Sequence, residues 1–243
     1  MTLTVVPLLV GTAPDERIAL TGDLLPFFIF VVLGGRQPVV VDTGTPGREE
    51  VKWRNGMRLV RDEAQEPLAT LQAIDVDPSE VELVVQTHLH WDHCGNGALF
   101  PNAEFLVQKE ELRYAVAPAE GDLELFNANG KGLPKWFDIF DQMTVIEGDR
   151  KLGDGMSVVW LPGHTPGSQG LLVGTPTGTV LIAGDTVPTY AHWRGDESRR
   201  HIPNDLAVDL DAYARTYDRI DGLGCEVVPS HDLGVLLPGG AGP

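Results

Sequence analysis

Basic residues are scarce. The chain of 243 residues has 18 Lys+Arg against 35 Asp+Glu, a formal net charge of −17. Nucleic acids and anionic membranes repel such a surface, so a nuclease or a binder of large polyanions is disfavoured. Cysteine is scarcer still, and Cys94 and Cys225 alone cannot make a disulfide framework. Long apolar runs are missing. The longest, "LLPFFIFVVLGG", falls short of the ~18–20 residues that span a bilayer and reads as a buried strand. The N-terminal "MTLTVVPLLVGTAPDE" has no basic segment of the kind that opens a signal peptide, so the expected location is the cytoplasm. Internal repeats, low-complexity tracts and linkers are also lacking, which makes residues 1–243 one domain by expectation.

What is there is a series of short β-rich runs. They fall at 3–10, 27–33, 38–44, 81–87, 103–108, 156–162, 169–174, 179–186 and 225–231, and many end in a polar cluster. Helical patterns fit 66–74, 109–117 and 210–223, the last with Leu210, Tyr213, Tyr217 and Ile220 on one face. Strands first in runs and then alternating with helices point to an α+β protein, with packed sheets flanked by helices. The stretch 118–142 has weak periodicity and several Pro and Gly, and is a candidate lid. The tail "LPGGAGP" carries no pattern and reads as a loose end.

Histidine is rare as well, yet three of the seven crowd into "THLHWDHCGN" together with an aspartate. Imidazole and carboxylate at that spacing suit a transition metal. Further groups stand at strand ends: Asp42 in "VVVDTG", His164 in "LPGHTPGSQG", Asp185 in "LIAGDT" and His231 in "VVPSHD". If the strands converge, His88, His90, Asp92, His93, His164, Asp185 and His231 converge with them. Seven such groups exceed one tetrahedral site and fit two metals with a shared carboxylate.

The series "HLHWDH", "PGHTPG", "GD" and "SH" resembles the metallo-β-lactamase superfamily, whose motif is H-x-H-x-D-H, over nearly the whole chain. The resemblance implies an αββα sandwich of two packed mixed β-sheets flanked by helices, with metals at one edge. It implies that His88, His90 and His164 hold a first ion, Asp92, His93 and His231 a second, with Asp185 bridging and Asp42 supporting the site. The implied cofactors are two divalent transition-metal ions, zinc first, with iron, manganese or cobalt as alternatives. Neither cysteine falls at a ligand position, which argues against antibiotic hydrolysis. Cys94 reads as a small loop-packing residue.

Within that superfamily the series looks most like the N-acyl homoserine lactonase-like branch. The expected activity is a dinuclear metal-dependent hydrolase, opening a lactone or cleaving a carboxylic ester through a metal-bound hydroxide, as in quorum quenching. A glyoxalase II-like thioesterase, an organophosphate hydrolase and a mono-iron sulfur dioxygenase-like enzyme are the alternatives. Asp92 would orient the nucleophile or pass a proton to the leaving alkoxide. The lactonases carry a tyrosine three residues after the bridging aspartate, where this chain has Pro188. Tyr190 is therefore the candidate catalytic hydroxyl. Trp91, His192 and Trp193 are assigned to the substrate pocket, with Trp136 and Phe137 adding to it from the lid, and His201 to the surface. The expected partner is a small, neutral or moderately hydrophobic substrate, and a homodimer is compatible with the sequence.

Overall fold

The structure is a computed structural model and describes residues 2–14, 24–127 and 129–237. The first sheet is built in sequence order from β1 (Thr4–Pro14), β2 (Leu24–Leu33), β3 (Val39–Val41), β4 (Leu83–Val85), β5 (Glu104–Gln108) and β6 (Met143–Ile146). β1, β2 and β3 pair antiparallel, and β3 to β6 pair parallel. The second sheet runs in the order β11-β10-β9-β8-β7. Its strands are β7 (Arg150–Gly153), β8 (Met156–Trp160), β9 (Gln169–Thr175), β10 (Gly178–Ile182) and β11 (Glu226–Val228). Only its β10–β11 pair is parallel. Both sheets are therefore mixed.

β2 explains the longest apolar run. Side chains alternate across a strand, and both faces of this one are covered. Phe28, Phe30 and Val32 meet Val158, Leu171, Val173 and Ile182 of the second sheet. Phe27, Ile29 and Val31 turn the other way into a cluster with Val51 and Leu71. Those two belong to α1 (Arg48–Asn55) and α2 (Pro67–Gln72). A strand buried on both faces reads as continuous hydrophobicity rather than alternation. The remaining helices are α3 (Lys109–Val116), α4 (Tyr190–Arg194) and α5 (Leu210–Leu223). α5 lays Tyr213, Tyr217 and Ile220 on the outer face of the second sheet, against Val159, Leu161 and Leu181. The layers are helix, sheet, sheet, helix, the αββα sandwich that the motif series implied. Among the described residues no helix is long and apolar enough to cross a membrane.

Several local expectations change. Leu210 does not share the buried face of α5: it is the first residue of that helix and 62% exposed. Strands β6 and β7 and helices α1 and α4 have no counterpart in the sequence pattern. The strands expected at 38–44, 81–87, 179–186 and 225–231 pair over only three to five residues each, because their polar ends leave the ladder and become the loops of the site. The stretch 118–142 is anchored by buried Phe126, Trp136 and Ile139. The tail beyond residue 237 lies outside the described residues.

Candidate metal centre and substrate pocket

The loops leaving β4, β8, β10 and β11 carry the seven sequence candidates to one edge of the sandwich. They gather as two neighbouring sets, His88, His90, His164 and Asp185 in one and Asp92, His93 and His231 in the other, with the ligand atoms of each set within 4.8 Å of one another. Asp185 faces both. Its Oδ1 lies 3.1 Å from His93 Nε2 and 3.0 Å from His231 Nε2, and its Oδ2 lies 3.5 Å from His164 Nε2. His164 Nε2 is also 3.1 Å from His90 Nδ1. Asp92 Oδ2 stands 3.6 Å from His93 Nε2 and 3.7 Å from His231 Nε2.

The surroundings fix which ring nitrogens point inward. Asp42 Oδ2 accepts from the Thr87 hydroxyl at 2.8 Å and from His93 Nδ1 at 2.8 Å. Because the Thr87 hydroxyl donates to Asp42, it accepts from His88 Nδ1, 3.0 Å away. The Pro26 carbonyl accepts from His231 Nδ1 at 2.8 Å. In all three rings Nδ1 is committed to one of these partners and Nε2 faces inward, the arrangement that supporting hydrogen bonds impose on metal-binding histidines. His88 Nε2 and His93 Nε2 are buried with no hydrogen-bond partner. Buried polar atoms are seldom left so, and these two face the same space as the Asp185 carboxylate. The donor set fits two divalent cations: imidazole and carboxylate only, with one carboxylate between the two sets.

Charge divides the imidazoles into two groups. Burial, then the neighbouring imidazoles, hold His88 and His90 well below the ordinary histidine value. Burial also draws His164 down, to about 4. At His93, burial is outweighed by Asp185, Asp92 and Asp42, which raise it well above the ordinary value. Asp185 is driven well below the carboxylate range, because His231 and His93 outweigh its burial.

A further carboxylate braces the loops. Buried Glu111, on α3, accepts from the Leu89 N–H at 2.8 Å, from the Thr165 hydroxyl and from the Gly167 N–H. It thereby ties the His88–His93 loop to the His164 turn. Ser230 Oγ donates to Asp185 Oδ1 at 2.6 Å. Sequence reasoning passed over both residues. Ser230 had a signal, standing in "PSHD" next to His231, whereas Glu111 sits among ordinary charged helix positions.

Beside the two sets lies a cavity of ≈ 100 Å³ with Asp92, Asp185 and His231 on its wall. Leu25, Met57, Trp91, Leu125 and Leu206 supply apolar surface. Trp91 and His192 both lie on this wall. Trp193 is not on that wall: its ring stacks on His201 at 4.0 Å and packs toward Tyr217. His201 is correspondingly not a surface residue, being only 10% exposed and 3.1 Å from Asp221. Trp136 packs with Leu89, Cys94 and Phe126 under the metal loop, and Phe137 is exposed, so neither lines the cavity. From 118–142 it is Leu125 that reaches it. Tyr190 is also placed elsewhere. It lines a separate groove with Pro7, Phe30 and Glu226, and its buried hydroxyl has no partner among the described residues. The reason is helical geometry. At 3.6 residues per turn, positions two apart point to roughly opposite sides, so α4 sends Tyr190 to the groove and His192 to the cavity. Cys94 packs in the buried loop, as expected.

Residues 27–231 match the Metallo-beta-lactamase superfamily, and the chain belongs to it. An N-acyl homoserine lactonase AttM of Rhizobium radiobacter is 32% identical over 234 residues, covering 86% of this chain and 81% of that one. A second AttM lactonase, of Azorhizobium caulinodans, is 34% identical over 177 residues; the match takes in 68% of this chain and 63% of the relative, just under two thirds of its length. Among solved structures, B. thuringiensis AiiA with N-decanoyl-L-homoserine bound at the active site superposes with a TM-score of 0.73 at 24% identity, over 96% of this chain and 95% of that one. AidC, a dizinc quorum-quenching lactonase, superposes at 0.69 with 16% identity, over 95% and 88%. These two show the shared fold. Family, fold and ligand sets together define a metal-dependent hydrolase.

Proposed function

We propose that this protein opens the ring of N-acyl homoserine lactones. The observation that carries the reading is Asp185: its carboxylate lies between two sets of inward-facing imidazoles, at the wall of a small apolar cavity. The AttM relatives support the substrate class. At ≈ 100 Å³ the cavity is below the roughly 300–1,000 Å³ of most ligand pockets. It suits a lactone ring with its amide, while the acyl chain runs out along Met57 and Leu206.

His88, His90 and His164 would hold one cation and Asp92, His93 and His231 the other, with Asp185 between them. Bound zinc ions would supply an activated water at neutral pH and polarise the lactone carbonyl. The chain's own groups do the rest. Leu25, Trp91 and Leu125 exclude bulk water from the reacting carbonyl. Asp42 and Glu111 hold the loops in register. Asp92 is partly exposed and on the cavity wall, where its carboxylate holds the proton released on attack and returns it to the leaving alkoxide oxygen. Asp205 lies at the same cavity, and with the net charge of −17 it favours a neutral substrate over an anionic one.

The test is steady-state kinetics of the zinc-loaded protein on N-acyl homoserine lactones, a simple γ-lactone, an aryl ester, a glutathione thioester and a phosphotriester. The highest kcat/KM is expected on an acyl homoserine lactone. A clear preference for the thioester or the phosphotriester overturns the reading.

A further inference from the structure

With Tyr190 turned away and Pro188 at the position of the lactonase tyrosine, the cavity lacks a phenolic hydroxyl from α4. Another donor stands there. Thr189 caps α4: its Oγ1 accepts from the His192 backbone N–H at 3.2 Å and lies 2.7 Å from His192 Nδ1. Thr189 is 1% exposed, and among the described residues Nδ1 is the acceptor its hydroxyl hydrogen reaches. The hydroxyl therefore donates to Nδ1. A neutral imidazole with Nδ1 as acceptor carries its proton on Nε2. Burial holds His192 below the ordinary histidine value, which keeps the ring neutral at pH 7. Nε2 makes no hydrogen bond within the described residues, and the ring lines the cavity beside Asp185 and His231. Its one committed nitrogen is turned to Thr189, which leaves an N–H facing the cavity.

From this geometry we infer that His192 is a catalytic residue whose Nε2–H donates a hydrogen bond to the carbonyl oxygen of the substrate as that oxygen gains negative charge. Thr189 is the positioning residue that fixes the tautomer. The inference rests on the lactone-hydrolase reading for its substrate, but the donor and its lock are properties of the chain. No proton is transferred: the bond strengthens as charge develops, and a donor that binds the charged form best accelerates the chemical step.

Two measurements test it. Nitrogen-15 NMR of the labelled, zinc-loaded protein is expected to show His192 as the Nε2–H tautomer, and Thr189→Val to give a mixture. Kinetics are run on whichever carbonyl substrate of the panel the wild type turns over best. His192→Phe fills the same space without a donor and is expected to lower kcat by about 10²–10³, the usual effect of removing an oxyanion donor, with KM and zinc content nearly unchanged. His192→Gln, whose amide can donate, is expected to recover part of the loss. A wild-type Nδ1–H tautomer overturns the inference. So does His192→Phe with zinc bound and kcat within about twofold of wild type, or one that changes KM alone, which would mark a ground-state contact. A wild type active only on non-lactone esters overturns the lactone reading and leaves the His192 comparison standing.

Discussion

Gly167 gives the most direct check on how the metal loops are held. A Cβ placed there would sit 2.1 Å from the Glu111 backbone nitrogen, 2.3 Å from its Cβ and 2.4 Å from its Cα. Ordinary carbon contacts need roughly 3.5–4.0 Å, so α3 and the His164 turn must separate by more than about 1 Å. Both partners are backbone, and neither can swing aside. Overpacking of this kind costs typically about 1–3 kcal/mol, and backbone against backbone belongs at the upper end. For a chain of this size each kcal/mol lowers Tm by roughly 2–4 °C, which puts Gly167→Ala about 6–12 °C below wild type. The displacement also acts on the site. Glu111 holds the Leu89 and Gly167 N–H groups together, and metal–ligand distances tolerate only about 0.2 Å of error. Zinc affinity is therefore expected to fall along with Tm. Gly121 is the control. Nothing lies within 4 Å of a Cβ there, so Gly121→Ala tests the loss of glycine without the collision. The measurements are thermal unfolding and competitive zinc titration of the three proteins. A Gly167→Ala protein that melts with wild type and binds zinc as tightly would refute the brace.

Asp185→Asn removes the shared charge between the two sets and is expected to leave metal content below two ions per chain and turnover down by orders of magnitude; elemental analysis and kcat read both. Tyr190→Phe, in contrast, is expected to keep kcat and KM. It should leave stability unchanged or slightly raised, because the hydroxyl it removes is buried without a partner. A large fall in kcat would return that residue to the mechanism. Burial raises Glu111 from 4.5 to about 7, and its three hydrogen bonds only partly oppose the rise. A raised folded-state value means stability that is complete below about pH 4.5 and is lost as pH climbs through 7. At 1.36 kcal/mol per unit the loss is about 3 kcal/mol. In metal-free protein, wild type should lose that much relative to Glu111→Gln between pH 4.5 and 8; parallel stability curves would contradict it.

The candidate ligands were legible because each is an expensive residue to bury and each follows an apolar strand in chain order. Their chemistry and their spacing agreed before any geometry was known. β2 was legible for a similar reason, being apolar on both faces. The cavity wall was not. Leu25, Met57, Leu125 and Leu206 come from four separate segments, and each looks like any other apolar residue in its own surroundings. β6 and β7 escaped notice because all but one of their residues are exposed or half-buried, with neither alternation nor a continuous apolar run. Tyr190 and His192 show a finer limit. The segment was identified, but without its helix the choice between two residues on opposite sides had no basis.

The order of the strands has a consequence for synthesis. The first sheet is complete at β6, when His88, His90 and His93 have already been made but His164, Asp185 and His231 have not. The 85 residues from Glu147 to His231 take roughly 4 to 17 s to add at about 5–20 residues per second. Until β8, β9 and β10 have followed, the growing chain displays Phe28, Phe30, Val32, Val41 and Leu106 with no second sheet to cover them. It also displays a half-set of imidazoles that any passing soft cation can claim. A cation can therefore meet part of the candidate donor set before the rest of it has been made.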